Sequence, residues 1–213
     1  MTEPFASPQP DTRDSTPQHP DWIDRWQRVA RRIRVPLGFV VAALYLYQLW
    51  QNAPQREAVV GSLALVLPGL WLRAYSAGYV KKNRELTRTG PYAHTRNPLY
   101  LGSMLIAAGF AVALLSWPIA AVLAVGFFLI YVPVIASEER FLRGAFAGFD
   151  DYCRQVPRLI PRITSGTAQS DAGRFSFSLY RKHREYNAAL GTALLYLGLL
   201  LRSLLVALLH GAR

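Results

Sequence analysis

Two polar segments of the chain carry side chains that could do chemistry, and a long uncharged stretch separates them. The first contains Arg96, Asn97 and Tyr100, and the second begins with Glu138 and Glu139. Carboxylates and the face of an aromatic ring stabilise a cation, whereas an arginine binds a carboxylate through paired hydrogen bonds. Such a set would suit a zwitterion with separate ammonium and carboxylate groups, and the methionine part of S-adenosylmethionine has this character.

The uncharged stretch determines where these two segments lie. Between Arg96 and Glu138 there are 41 residues without Asp, Glu, Lys or Arg. As one helix they would extend about 60 Å, roughly twice the hydrocarbon thickness of a bilayer. They must therefore fold back, and Ser116-Trp117-Pro118 supplies the break. The two antiparallel spans bring Arg96 and Glu138 to one membrane face. On charge pattern alone, Arg96 could instead be a headgroup-seeking cation and the glutamates a solvated helix end.

Composition excludes several classes of protein. The 213 residues carry 24 Lys+Arg and 13 Asp+Glu, a net charge of +11, yet only 17% are charged and 52% are hydrophobic. Soluble domains average about 25% charged residues, so a soluble nucleic-acid-binding domain is excluded and no nucleic-acid partner is expected. Cys153 is the only cysteine and the four histidines are scattered, so neither an intrachain disulfide nor a metal site is predicted.

The N-terminal third divides into a tail, a surface helix and the first spans. Residues 1–20 are rich in proline and polar residues, which predicts a disordered tail. In residues 21–34 apolar positions recur at helical spacing opposite several arginines, which predicts an interfacial amphipathic helix; a helix packed on a soluble partner is the alternative. Pro68 in the second span predicts a kink, and Arg73 must reach the headgroups or face the protein interior.

The membrane core is predicted over residues 35–162. Residues 163–186 are predicted to be a linker and juxtamembrane segment, which either anchors the chain to headgroups or binds substrate, and residues 187–210 form a last span. The core contains these parts: spans near residues 36–52, 58–80, 98–115 and 118–137, and a polar segment over residues 138–162.

The distribution of cations sets the topology. Residues 25–34 hold five, residues 73–96 hold six and residues 140–184 hold nine, together 20 of the 24 cations. With five spans all three segments fall on one side of the membrane. The positive-inside rule makes that side cytoplasmic and places the N-terminus inside, in a bacterial inner membrane.

The motifs of this polar face resemble those of the isoprenylcysteine carboxyl methyltransferase family, which is related to the phospholipid N-methyltransferases. The match covers about residues 60–162 and depends on joint spacing. It consists of Gly-Pro-Tyr at 90–92, Arg-Asn-Pro-Leu-Tyr-Leu-Gly at 96–102, the glutamate pair, Phe146, Asp-Tyr at 151–152 and Val-Pro-Arg-Leu-Ile-Pro at 156–161. The family usually has histidine at the position of Asn97, and asparagine forms hydrogen bonds but does not titrate near neutral pH.

The spans and the cation distribution predict an all-α integral membrane protein of five transmembrane helices, preceded by an interfacial amphipathic helix, and the resemblance implies a cytoplasmic cofactor-binding face. Arg96 would lie near the reacting carboxylate, and Glu139 would be a candidate base for an amine acceptor. Residues 156–161 would cover the cofactor, although Arg158 could bind anionic lipid instead. The implied S-adenosylmethionine-binding residues are Asn97, Pro98, Tyr100, Gly102, Glu138, Glu139 and Arg158.

The expected function is methyl transfer from S-adenosylmethionine to a lipophilic acceptor, a small molecule or a prenylated substrate, within membrane lipid. An isoprenylcysteine-like carboxylate is ionised at neutral pH, so direct in-line transfer requires alignment and no general base. Two alternatives remain at the level of sequence. One is a membrane reductase of the sterol-reductase type that uses NADPH, and the other is a non-enzymatic membrane scaffold or transporter.

Overall fold

A computed structural model describes residues 21–52, 54–81, 85–164 and 173–211. The predicted tail, residues 1–20, and residues 165–172 of the predicted linker lie outside the described residues. Where the chain is described it is helical and contains no strand. The helices are α1 (Asp21–Gln51), α2 (Arg56–Ala77), α3 (Pro98–Leu114), α4 (Trp117–Gly126), α5 (Val132–Ala145), α6 (Phe149–Gln155), α7 (Phe177–Lys182) and α8 (Tyr186–Gly211), with a 3-10 turn at Gly90–Ala93 and a π-helical turn at Phe127–Tyr131.

The chain is an integral membrane protein. Three of its described helical segments are long and apolar enough to cross a membrane, namely Arg56–Ala77, Trp117–Ala145 and Tyr186–Leu209. The third predicted span corresponds to α3, an apolar helix of 17 residues. Five spans therefore remain a prediction, because length and composition qualify only these three segments.

One continuous helix replaces the predicted surface helix and first span. Residues 21–34 and 36–52 were expected to be separate, but α1 runs through Pro36 without ending. The reason is packing, since Ala30 and Leu37 lie on one face and contact a single cluster around Ile130 of the π-helical turn. The N-terminal half of α1 thus contacts the same chain, and its Trp26 ring N–H donates to the carbonyl of Leu129, 3.0 Å away.

The predicted break in the 41-residue uncharged stretch is confirmed. Helix α3 ends at Leu114, and Leu115 adopts a left-handed conformation with φ of 48°. Ser116 then caps α4 by accepting a hydrogen bond from the amide of Ile119. Pro118 fits here because the first turn of a helix leaves its amides without intrahelical partners.

Helices α2 and α3 pack through glycines. A Cβ atom added to Gly69 would lie 2.8 Å from the carbonyl oxygen of Gly102, and one added to Gly109 would lie 2.3 Å from Cγ2 of Val66. Such contacts let two backbones approach closely, which is the main source of helix association within lipid. Pro68 lies inside α2, which continues past it to Ala77.

Helix α8 packs on this unit through the apolar cluster that contains Leu199 and through polar contacts. Arg73 of α2 forms an ion pair with Glu185, 2.7 Å apart, at the end of the bundle where α2 ends and α3 begins, here called the polar end. Ser62 and Tyr196 share a hydrogen bond of 2.6 Å. At the opposite end, Arg202 donates to the carbonyls of Leu49 and Trp50 in the last turn of α1. Arg73 therefore faces the protein interior, one of the two predicted outcomes.

Candidate functional site

A cavity of about 310 Å³, here called the polar cavity, lies at the polar end of the bundle, between the start of α3 and the end of α5. Aromatic and aliphatic side chains of Leu86, Tyr92, Leu142 and Phe149 form much of its remaining wall. Its volume is within the range typical of small-molecule sites. Six of the predicted site residues line this cavity: Arg96, Asn97, Pro98, Tyr100, Glu138 and Glu139.

A short turn delivers the first polar segment to the cavity. Gly90 has φ of +60°, a conformation that L side chains rarely adopt, and opens the 3-10 turn. Pro98 then occupies the first position of α3, where its missing amide costs no intrahelical hydrogen bond. Asn97, just before it, accepts from the amide of Leu101 at 3.1 Å through its carbonyl. The side chains of residues 96–100 are thereby fixed at the start of the helix.

Glu139 is buried and fully engaged by positive or polar partners. It is 5% exposed, and Nε of Arg158 lies 3.2 and 3.1 Å from its two carboxylate oxygens. Arg96 lies 3.4 Å from Oε1, and the Asn97 amide donates to the same oxygen at 3.4 Å. A buried carboxylate requires such partners, because its charge is otherwise unfavourable away from water. Glu139 therefore joins α5 to the start of α3 and to the segment that carries Arg158.

That segment, residues 156–162, is here called the strap because it crosses the first polar segment. The Arg96 amide donates to the Pro157 carbonyl at 2.9 Å, and the Arg162 amide donates to the His94 carbonyl at 3.1 Å. The Asn97 side chain also donates to the Arg158 carbonyl at 3.0 Å. Backbone contacts therefore fix the strap, and Arg158 contacts Glu139 beside the cavity without lining it.

Glu138 is in a different environment from its neighbour. It is exposed, and Oε1 accepts a hydrogen bond of 2.8 Å from the Tyr100 hydroxyl. No arginine forms an ion pair with it among the described residues. The Tyr100 ring also packs edge-on against Tyr131 of the π-helical turn, with centroids 5.6 Å apart. Of the two carboxylates that line the cavity, Glu138 is therefore the one whose negative charge no described arginine pairs.

A buried donor of Arg96 has no hydrogen-bond partner in the part of the chain that the structure describes. Its Nη1 atom contacts both Glu139 and the sulfur of Cys153, the latter at 2.5 Å. Its Nε atom is buried and has no hydrogen-bond partner among the described residues. A buried N–H that is left unpaired is costly, so this donor favours a ligand that supplies an acceptor in the cavity.

Two tyrosines form a neutral part of the wall. The Tyr152 hydroxyl donates to the Tyr92 carbonyl at 2.7 Å and so ties α6 to the 3-10 turn. Burial raises the pKa of both phenols well above the ordinary value. Both belong to the motifs noted in the sequence, but nothing in the spacing of residues 92 and 152 predicted this contact.

Gly102 lies outside the cavity. A Cβ atom on it would be 2.7 Å from Cγ of Arg73 and 2.8 Å from the Gly69 carbonyl oxygen. The close backbone approach that its sequence position indicated is made by α2. The cofactor-binding role predicted for Gly102 therefore has no contact to support it here.

A second, apolar cavity of about 520 Å³ lies between α1, α3, α4 and the π-helical turn. Its walls include Met104, Ala107, Leu123 and Phe128. Tyr131 lines this apolar cavity, Tyr100 lines the polar one, and the two rings are in contact. The sequence did not reveal this cavity, because its walls come from four elements whose lateral arrangement the hydropathy pattern does not specify.

Comparison with known proteins identifies the relatives of the chain. The family model described as phospholipid methyltransferase matches residues 59–148. The nickel-cobalt-cadmium resistance protein NccN of Alcaligenes xylosoxydans xylosoxydans is 33% identical over 150 residues, which are 65% of this chain and 70% of that protein. The cobalt-zinc-cadmium resistance protein CzcN of Cupriavidus metallidurans is 40% identical over 137 residues, which are 62% of each chain.

No solved structure matches the chain significantly. Among the described residues, no three or more His, Cys, Asp or Glu side chains are grouped so that they could hold a metal ion. The matched residues 59–148 contain the first polar segment, the hairpin of α3 with α4, and the glutamate pair. The resemblance noted in the sequence is confirmed, and the chain belongs to the phospholipid methyltransferase family of membrane proteins.

Proposed function

We propose that this methyltransferase-type protein uses S-adenosylmethionine to methylate a lipophilic acceptor, with an isoprenylcysteine-like carboxylate as the acceptor group. The observation that supports this most directly is the junction of two unlike cavities. The cavity that holds Arg96 and the two glutamates and the apolar cavity suited to a lipid meet through Tyr100 and Tyr131, whose rings are in contact and line one cavity each.

The residues of the polar cavity fit the cofactor. When bound, S-adenosylmethionine supplies an electrophilic methyl group on a sulfonium. Glu138 offers a carboxylate for a positive group, and the aromatic face of Tyr100 supports a cation beside it. The unpaired Nε of Arg96 offers a donor for a carboxylate. Both charges of a zwitterion would thus have a partner of opposite charge in one cavity.

Glu139 acts in this proposal as a positioning residue. Both of its oxygens accept from Arg158, and Arg96 and Asn97 share one of them. Its role is to hold Arg96 and the strap in place around the cavity.

The acceptor would occupy the apolar cavity and present its reacting group at Tyr131. A carboxylate is already a nucleophile at neutral pH, so the protein contributes alignment and exclusion of water. The small residues Ala107 and Ala108 of α3 leave room for a hydrocarbon chain in this cavity. We place the polar end on the cytoplasmic side of an inner membrane crossed by five spans, where the cofactor is soluble.

Calorimetry with S-adenosylhomocysteine tests the cofactor site. The purified protein in detergent should bind this product with micromolar-range affinity, and Glu138→Gln should weaken binding about tenfold because a charge-assisted contact is lost. Glu57→Gln, an exposed glutamate in the first turn of α2, is the matched control and should bind normally. Absence of binding by the unmodified protein would show that the proposal is wrong.

The two alternative functions are separated by parallel assays. Binding of NADPH in place of S-adenosylhomocysteine would support the reductase. Incubation of the protein with total lipid extract and methyl-labelled cofactor should yield one new labelled species, detected by mass spectrometry. A protein that binds S-adenosylhomocysteine but labels no lipid would contradict the lipophilic acceptor and leave the cofactor site standing.

A further inference from the structure

A third cavity lies between α1, α3 and α8, and we call it the α8 slot. Its volume is about 330 Å³. Helix α8 lies outside residues 59–148, the part of the chain that the family model matches. The slot shares part of its wall on α1 and α3 with the apolar acceptor cavity, but it opens toward α8. Its wall includes Gly38 and Tyr45 of α1, Arg73 of α2, and Asn187 and Gly191 of α8.

Small residues give the slot its width. A Cβ atom added to Gly38 or to Gly191 would meet nothing within 4 Å. Small residues on facing membrane helices normally allow close contact, yet α1 and α8 leave open space at these two glycines. Farther along, Leu199 of α8 belongs to the same apolar cluster as Tyr45 and Leu49 of α1. Polar contacts join the α8 segment to the bundle at both ends, at Glu185 directly before α8 with Arg73 and at Arg202 with the end of α1. The open space extends about 12 Å along α8, from Asn187 to Leu195.

Tyr45 indicates what the space could contain. This side chain is 4% exposed, lines the slot, and packs edge-on against Phe110 with ring centroids 5.2 Å apart. Its hydroxyl is buried and has no hydrogen-bond partner among the described residues. Buried hydroxyls are nearly always paired, because an unpaired one loses its hydrogen bond to water without replacement. An occupant with an oxygen at this depth would supply the missing partner.

The mouth of the slot at the polar end favours an anionic group. Arg73 lines the slot there, and its charge is matched by Glu185. The neighbouring residues Arg181, Lys182 and Arg184 are exposed cations directly before α8. Asn187, at the same end of the slot, offers amide donors. A head group with a negative charge is therefore attracted to this end, and its chain would run along α8 toward Tyr45.

We propose that the α8 slot binds one anionic, single-chain amphiphile that carries a hydroxyl group part of the way along its chain. The head lies at the mouth beside Asn187, the chain lies against Gly38 and Gly191, and the chain hydroxyl pairs with Tyr45. This site is separate from the polar cavity, and the inference does not rest on methyl transfer.

Ricinoleate and oleate are a matched pair of probes, because they differ by one chain hydroxyl. Binding of each labelled fatty acid is measured on the full chain in nanodiscs of zwitterionic lipid. Ricinoleate should bind about fivefold more tightly than oleate, the effect of one buried hydrogen bond. In Tyr45→Phe this preference should disappear while oleate binding stays the same. Equal binding of the two probes by the unmodified protein would overturn the proposal.

A second variant tests the location. Gly191→Leu places a side chain in open space within the slot and should weaken both probes by at least tenfold. Gly61→Leu is the control, because this exposed glycine of α2 also has nothing within 4 Å and lies outside the slot. Unchanged binding in Gly191→Leu would refute the assignment. S-adenosylhomocysteine binding, measured in the same samples, should not change. A result against the α8 slot can therefore be distinguished from a result against the proposed cofactor site.

Discussion

Glycines on facing helices have opposite consequences in two parts of this protein. Between α2 and α3, the backbone at Gly69 touches the backbone at Gly102 so closely that a Cβ on either would lie 2.8 Å from a carbonyl oxygen. Between α1 and α8, Gly38 and Gly191 face open space. The first pair closes an interface, and the second pair lines the α8 slot.

The difference lies in what else holds the helices. Helices α2 and α3 associate by direct backbone packing, the main source of attraction where lipid and side chains are equally apolar. The α8 segment is joined to the bundle by the Glu185–Arg73 ion pair, by the apolar cluster around Leu199 and by Arg202 on backbone carbonyls of α1. None of these contacts lies at Gly38 or Gly191, and the space at these two glycines stays open.

The largest effect on stability is expected from a substitution that disrupts the close packing of α2 and α3. Gly102→Leu would drive side-chain atoms into Arg73 and the Gly69 backbone, so we expect a loss of about 3 kcal/mol in the free energy of unfolding. Thermal unfolding in detergent measures it, with Gly61→Leu as the control. S-adenosylhomocysteine affinity of the folded fraction should be retained, because Gly102 does not line the polar cavity. If Gly102→Leu had normal stability but did not bind S-adenosylhomocysteine, Gly102 would belong to the cofactor site.

A smaller effect on stability is expected from removing the ion pair that joins the start of α8 to α2. Glu185→Gln leaves Arg73 without its ionic partner in a site where the two side chains are 23% and 14% exposed, so we expect a loss of about 2 kcal/mol. Glu85→Gln is the matched control, because its pair with Lys81 is about half exposed and should contribute less than about 0.5 kcal/mol. Equal stability of the two variants, compared by denaturant unfolding, would mean that the Arg73 pair does not hold α8.

The smallest effect on stability is expected at Gly191, and it tests the difference between this glycine and Gly102. Gly191→Leu makes the same kind of change as Gly102→Leu but in open space, and leucine favours a helix over glycine by about 0.8 kcal/mol. We expect stability that is unchanged or slightly raised in the same unfolding assay. A loss comparable to that of Gly102→Leu would show that α1 and α8 are closely packed at this position.

The sequence predicted those elements that depend on local chemistry. The uncharged stretch was too long for one span, and Ser116 with Pro118 marked where it folds back. That hairpin alone implied that Tyr100 and Glu138 meet, and their side chains are 2.8 Å apart. The boundary expected at Pro36 failed because packing on both sides of the proline outweighs the single missing amide.

Other features could not be found along the chain, because their partners are distant in sequence. Arg73 and Glu185 are 112 residues apart, and no pattern links them. The roles of the two neighbouring glutamates were also not separable, since Glu139 is engaged by Arg96, Asn97 and the strap residue Arg158, whereas Glu138 accepts from Tyr100. The α8 slot likewise requires three helices in register.

By itself, the sequence determined that this chain lies in a membrane, that its central stretch folds back, and that one polar face carries an arginine, a tyrosine and two glutamates. These properties follow from hydropathy, helix length and turn chemistry, which act over short distances along the chain. Only the tertiary structure decided which glycines touch, which glutamate is paired and where the cavities lie, because these depend on lateral contacts between helices that hydropathy leaves unspecified.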